Sequence, residues 1–206
     1  MDDTSSSGDA KRQDRRQAIL DAAESLFIEH GFEGTSLAAI VRRSGGSLAT
    51  VYELFQNKHG LLRAVIEENR MGNLCDVEDL ARKEGSAAEA LRHLARCVHD
   101  FFTQPRSVAM MRIMIQESLR DPQFARDFHR DLHGAKVREL ADIFRSWTDE
   151  GKAAFDDPAA AAELYFAIVK CDAPISAMIG NEQGCGMDSS MIDWRLAPFI
   201  SYFKVK

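Results

Sequence analysis

The chain has 206 residues, 45% of them hydrophobic and 28% charged, which lies in the ordinary range for globular proteins and excludes a disordered or collagen-like polymer. Its length is enough for one or two domains that bury a sizeable core without disulfide or metal staples. The net charge of -6 speaks on its face against a nucleic-acid partner, but Asp2, Asp3 and Asp9 make the start acidic while residues 10–63 hold eight basic against six acidic side chains, the distribution of a small basic head on an acidic body.

Residues 1–10 carry almost no apolar surface and are expected to form a disordered tail. Ile19, Ala22, Ala23, Leu26 and Phe27 then recur at helical spacing and predict a first helix from about residue 13 to 30, with Gly31 at its C-terminal end. Thr35 or Ser36 can cap a short second helix with Leu37, Ile40 and Val41 inward, and Gly45-Gly46 breaks it. Ser47 caps a third, which buries Val51 and Phe55, and Asn57 a fourth, which buries Leu62, Val65 and Ile66 and runs towards residue 80. Ser86-x-x-Glu89 is a capping box for a helix bearing Leu91, Leu94, Ala95, Val98 and Phe102. A short helix follows near 108–116. Asp121-Pro122 and Asp157-Pro158 each place a cap before a first-turn proline, opening a long helix through Trp147 and another reaching Gly180. Pro174 falls inside the latter, where it would free the Lys170 carbonyl and bend the helix. A loop over 181–190 and a last helix with Met191, Trp194, Leu196 and Phe199 complete an all-α pattern of about nine helices.

The second and third helices and the Ser44-Gly45-Gly46-Ser47 link have the spacing of a helix-turn-helix, whose second helix can enter a DNA major groove. Leu48, Ala49, Thr50 and Tyr52 form its outward face. Base reading would rest on Ser47, Thr50 and apolar contact with thymine methyls. Phosphates would be met by the helix starts at Thr35, Ser36, Ser47 and Asn57, by Lys58, and by Arg42 and Arg43. Residues 11–16, KRQDRR, could reach a neighbouring backbone or minor groove. The expected organisation is a tail over 1–10, a DNA-binding domain over 11–60 and a body over 61–206.

Three motifs in Arg15 to Leu62 carry a resemblance: Ile-Leu-x-Ala-Ala-x-x-Leu-Phe at 19–27, Gly-Phe-x-x-Thr-Ser at 31–36, and Thr-x-Tyr-x-x-Phe-x-x-Lys-x-x-Leu at 50–61. The segment resembles the DNA-binding domain of the TetR/AcrR family of bacterial transcriptional regulators. Part of residues 105–155, MMRIMIQESLRDPQFARDFHRDL, is similar to the C-terminal domain of one subgroup. The resemblance implies an all-α homodimer whose N-terminal helices bind double-stranded operator DNA and whose body binds a small effector that releases it. The chain departs from the pattern at the link, where Gly46 stands for the usual valine, at Leu48, where a basic residue is frequent, and at Leu54, where His or Tyr is. Glu53 adds a like charge beside the DNA.

For the effector, the residues suited to an apolar pocket are Phe101, Phe102, Met110, Met111, Met114, Phe128, Trp147, Tyr165 and Met178, with Asp172 as a polar contact. The same residues at helical spacing also suit a packed core. The last two helices carry enough apolar surface for a dimeric four-helix bundle. His129 and His133 have the spacing of a metal pair but lack a third ligand, so no metal or other cofactor is expected. No phosphate loop or Gly-x-Ser-x-Gly elbow occurs, and the alternative reading is a helical enzyme that processes a small molecule. Cys75, Cys97, Cys171 and Cys185 form no Cys-x-x-Cys pair, and MDDTSSSGDA lacks the basic start and apolar core of a signal peptide. A cytoplasmic chain with reduced thiols and no membrane span is expected.

Overall fold

A computed structural model describes residues 4–71, 79, 85–170, 173–180 and 189–206, and every regular element among them is helical. The chain divides into two compact units, Met1–Asn69 with Ala109–Phe124, and Arg70–Val108 with Ala125–Lys206. Residues 109–124, expected in the body, thus belong to the first unit.

In the first unit, α1 (Thr4–Gly34) buries the stripe Ile19, Ala22, Ala23, Leu26 and Phe27, together with Leu20. It starts at Thr4 instead of near residue 13, so residues 4–10 are helical and not the expected disordered tail. At Gly31 the backbone leaves the helix with φ 73° and ψ 170°, a conformation that glycine reaches without strain. Thr35 is not the cap of the next helix. It is 2% exposed, and its single hydroxyl proton is shared between the carbonyls of Leu26 (2.9 Å) and Gly31 (2.8 Å) at the end of α1. The cap of α2 (Leu37–Ser44) is Ser36, whose hydroxyl accepts from the Ala39 amide at 3.1 Å. Next come α3 (Leu48–Phe55) and α4 (Lys58–Met71), with Ile40, Val51, Phe55, Leu61, Leu62 and Val65 buried. The expected run of α4 beyond Met71 lies largely outside the described residues.

The second unit begins with α5 (Ala87–Thr103), whose capping serine is the predicted one: the Ser86 hydroxyl accepts from the Glu89 amide at 3.4 Å. The short helix expected at 108–116 is longer, α6 (Pro105–Arg120), and the long one after Asp121 is three consecutive pieces, α7 (Pro122–Phe128), a π-helical turn at His129–His133 and α8 (Gly134–Asp149); α6 from Ala109 and α7 up to Phe124 belong to the first unit. The predicted helix from 158 to 180 is α9 (Pro158–Lys170) and α10 (Ala173–Met178). Residues 171–172, between the two, lie outside the described residues, and Pro174 is the second residue of α10. The last helix is α11 (Ser189–Tyr202), with Pro198 inside it.

The core of this unit is aromatic. Phe144 is fully buried, stacked on Phe155 with centroids 4.1 Å apart and planes at 6°, and Tyr165 and Phe199 meet it at 6.3 and 6.0 Å. The Tyr165 hydroxyl donates to the Leu91 carbonyl at 2.7 Å, and burial pushes this phenol well above its ordinary pKa. Tyr165→Phe removes only this bond, so a loss of about 1 kcal/mol in urea denaturation is expected. The C-terminus closes the unit: the Lys206 amide donates to Lys152 at 3.0 Å and the Ala88 amide to Lys206 at 2.9 Å.

Candidate nucleic-acid interface

The turn between α2 and α3 runs through two glycines at positive φ, Gly45 (75°) and Gly46 (96°). No apolar side chain anchors it, and Arg15 takes that place. Its Nη1 donates to the Ser44 carbonyl at 3.2 Å, and a Cβ built on Gly46 would lie 3.6 Å from Arg15 Cδ, so the arginine stem covers the turn. The run 11–16 is part of α1 and its arginines are turned onto the unit itself. Arg12 pairs with Glu53 at 3.4 Å, and Arg16 with Glu68 at 2.9 Å while its guanidinium lies 5.9 Å from the Phe55 ring. The like charge expected from Glu53 is thus countered from α1.

Ser47 caps α3 as expected, accepting from the Thr50 amide at 3.2 Å, and the two hydroxyl oxygens lie 3.0 Å apart. Val51 and Phe55 point inward, which leaves Leu48 (42% exposed), Ala49 and Tyr52 (53%) on the outer face with Thr50 half-buried beside them. On α2, Arg43 gives Glu29 two hydrogen bonds, at 2.7 and 2.9 Å, which hold that carboxyl below its usual range. Arg42 and Ser36 lie with Arg43 along an open groove of about 620 Å3.

The step from α3 to α4 is the tightest in the unit. Gln56 has φ 67° and ψ -49°, its amide donating to Tyr52 O at 2.9 Å, and the Asn57 amide donates to Phe55 O at 2.8 Å, which makes Gln56 the centre of a γ-turn of the strained kind. The Asn57 side chain then caps α4, accepting from the Gly60 amide at 2.8 Å. A Cβ on Gly60 would stand 2.0 Å from the Phe55 carbonyl oxygen, so only glycine lets α4 start this close to the end of α3. Lys58 departs from expectation: its ammonium lies 4.2 Å from the Phe32 ring, half-buried, and burial lowers its pKa against the pull of Glu33 and Glu117.

Sequence reasoning missed Arg15, Gly60 and the Arg12–Glu53 pair. Only Gly60 carried a local signal, as a glycine inside a helical pattern away from its end. The effector candidates fall in both units. Met110, Met111 and Met114 belong to the first unit, whereas Phe101, Phe102, Phe128, Trp147, Tyr165 and Met178 belong to the second. Trp147 and Tyr165 are packed into the aromatic core, Phe101 is buried, and Phe102, Phe128 and Met178 are half-buried. Asp172 lies outside the described residues, as do Cys75, Cys171 and Cys185. His133 Nδ1 meets Lys170 Nζ at 3.1 Å, and no group of three or more metal-ligating side chains occurs among the described residues. No described helix is long and apolar enough to cross a membrane.

The profile of bacterial regulatory proteins of the tetR family matches residues 19–65, and that of the C-terminal domain of AefR-like transcriptional repressors matches residues 89–191. The HTH-type transcriptional repressor ComR of Escherichia coli K12 is 50% identical over 52 residues, 25% of either chain. Among solved structures, a TetR-family transcriptional regulator of Mesorhizobium loti MAFF303099 shares the fold with a TM-score of 0.75 at 22% identity, over 93% of this chain and 98% of that one. The flavonoid-responsive regulator FrrA is 29% identical with a TM-score of 0.65, over 91% of this chain and 96% of its own. These matches are to regulators and set the enzymatic reading aside. With one profile over the helix-turn-helix and a second over half of the remaining length and more, the chain belongs to the TetR family of bacterial transcriptional regulators.

Proposed function

We propose that the chain is a dimeric repressor that binds a near-palindromic operator through α2, α3 and the start of α4, and that a small, mostly apolar effector bound in the second unit lowers its operator affinity. The outer face of α3 carries this reading: Leu48, Ala49 and Tyr52 flank the Ser47–Thr50 hydroxyl pair, and Asn57 caps the start of α4 next to it. The hydroxyls suit base edges, the apolar groups suit thymine methyls, and helix N-termini suit phosphates. Because Glu29 and Glu53 hold Arg43 and Arg12, the cations on this surface are partly neutralised, which suits moderate affinity.

ComR's description as a repressor supports the sign, and FrrA's response to flavonoids supports an aromatic effector class. Dimerisation is supported by the outer face of α9 and α11, where Leu164, Trp194 and Tyr202 are exposed beside an apolar groove of about 620 Å3 lined by Ala167, Ile168, Ala197 and Pro198. Two-fold pairing there would set the two α3 helices in successive major grooves, about 34 Å apart.

The test is selection of bound duplexes from a random pool, which should yield a two-fold sequence whose binding falls when flavonoid-type compounds are added. A pool that yields no preferred sequence would overturn the reading. On the selected duplex, Thr50→Ala should cost about 1 kcal/mol, with little change on scrambled DNA. Lys58→Ala should weaken both alike and flatten the plot of log affinity against log salt by about one unit, as its ammonium exchanges the Phe32 ring for a phosphate.

A further inference from the structure

Beside the DNA-facing end of α4, the first unit holds a cluster that the contacts above do not use. The His59 ring lies between Phe32 and Phe124, with centroids 4.9 and 5.0 Å away and planes at 8° and 29°. Carboxylates meet both of its nitrogens. Nε2 is 3.5 Å from Glu117 Oε2, and Nδ1 is 3.8 Å from Asp121 Oδ2. The Glu117 side chain is 4% exposed, and Nε2 is a buried nitrogen without a hydrogen bond.

A buried ring nitrogen is therefore left without a hydrogen bond 3.5 Å from a buried carboxylate oxygen, and a buried polar atom without a partner is costly. A single proton on the ring relieves it. The imidazolium carries an N–H on each nitrogen, one for each carboxylate, whereas the neutral ring carries only one. The surrounding charges leave room for it. Glu33 at the end of α1 and Glu117 on α6 are met by Arg120, which bridges Glu117 (3.3 Å) and Glu33 (3.5 Å), and by Lys58 above Phe32, while Asp121 before α7 faces the ring itself. Asp121 is itself fixed, its Oδ1 accepting from the Gln123 and Phe124 amides at 2.9 and 3.1 Å.

We infer that His59 is a positioning residue for operator binding: its protonated ring clasps the first turn of α4 to the segment 117–124 and thereby fixes Asn57 and Lys58, next to it in the chain, where they meet the DNA backbone. This rests on the DNA-binding reading above. Closing the clasp takes up one proton, so by mass action acid favours the closed form and alkali the open one. Operator affinity follows it.

The experiment measures binding of the full chain to the selected duplex at about pH 6 and about pH 8, for the wild type, His59→Gln, Glu117→Gln and His30→Gln. His30 is an exposed histidine of the same unit, beside Glu29, and controls for the general gain of positive charge in acid. The wild type and His30→Gln should bind about five-fold or more tightly at the lower pH. His59→Gln and Glu117→Gln should lose most of that ratio. Glu117→Gln is the deciding variant, because it keeps the histidine and the shape of the side chain and removes only the charge that the proton serves. A wild type without pH dependence, or a Glu117→Gln protein that keeps it in full, overturns the inference. Melting temperatures without DNA give an independent arm: the wild type should lose stability between the two pH values by more than Glu117→Gln does. A chain that binds no duplex at either pH defeats the DNA-binding reading, and the melting arm then decides the clasp by itself.

Discussion

Gly60→Ala is expected to cost the first unit about 3 kcal/mol or more and to abolish operator binding. The new Cβ would stand 2.0 Å from the Phe55 carbonyl oxygen, a backbone atom that no rotamer change can move. Relief requires the start of α4 to shift by more than an ångström from the end of α3, and overpacking that backbone must absorb lies at the costly end of single substitutions. The shift would break the Asn57 cap on the Gly60 amide and displace the γ-turn at Gln56, which together set α3 against α4. Both tryptophans, Trp147 and Trp194, lie in the second unit, so their fluorescence will not report the damage. Amide exchange at Val51 and Leu61, both fully buried, is the measurement to make, and native-like protection there in Gly60→Ala would contradict the prediction.

Trp194→Asp is expected to convert the proposed dimer into a monomer and to weaken binding to a two-half-site duplex by about 10²–10⁴. Trp194 is 72% exposed on the apolar face of α11, so the substitution places a charge in the proposed interface with little effect on the core of its own unit. A monomer engages each half-site separately and loses the gain in effective concentration that the second head provides. Sedimentation at micromolar concentration should show the change of mass, and binding to a single half-site should be nearly unaltered. A variant that stays dimeric would place the interface elsewhere.

The sequence by itself determined the elements that depend on neighbours within about one helical turn. Ser47, Asn57 and Ser86 cap helices where their spacing to an amide places them, and the apolar stripe of α1 is buried as its period requires. It also held the link between α2 and α3, since Gly45-Gly46 marks a chain that turns through positive φ. The all-α class followed from the same local rules. Where those rules offered two solutions, as at Thr35 and Ser36, only packing chose: a residue 2% exposed had to spend its hydroxyl on the end of α1 and left the cap to the next serine.

What tertiary structure decided is how charged side chains are used. Arg12 and Arg15 look in sequence like part of a DNA-reaching arm, yet they end on Glu53, 41 residues away, and on the Ser44 carbonyl, 29 residues away. The His59 ring is enclosed by Phe32 and Phe124, which come from different elements and close on its two faces. Such pairings depend on the docking of whole helices, and a long flexible side chain settles on whatever partner that docking brings within reach. Periodicity and caps fix which residues turn inward, because burial and backbone hydrogen bonds act locally. The destination of a guanidinium or an imidazole is set only when distant segments share one surface.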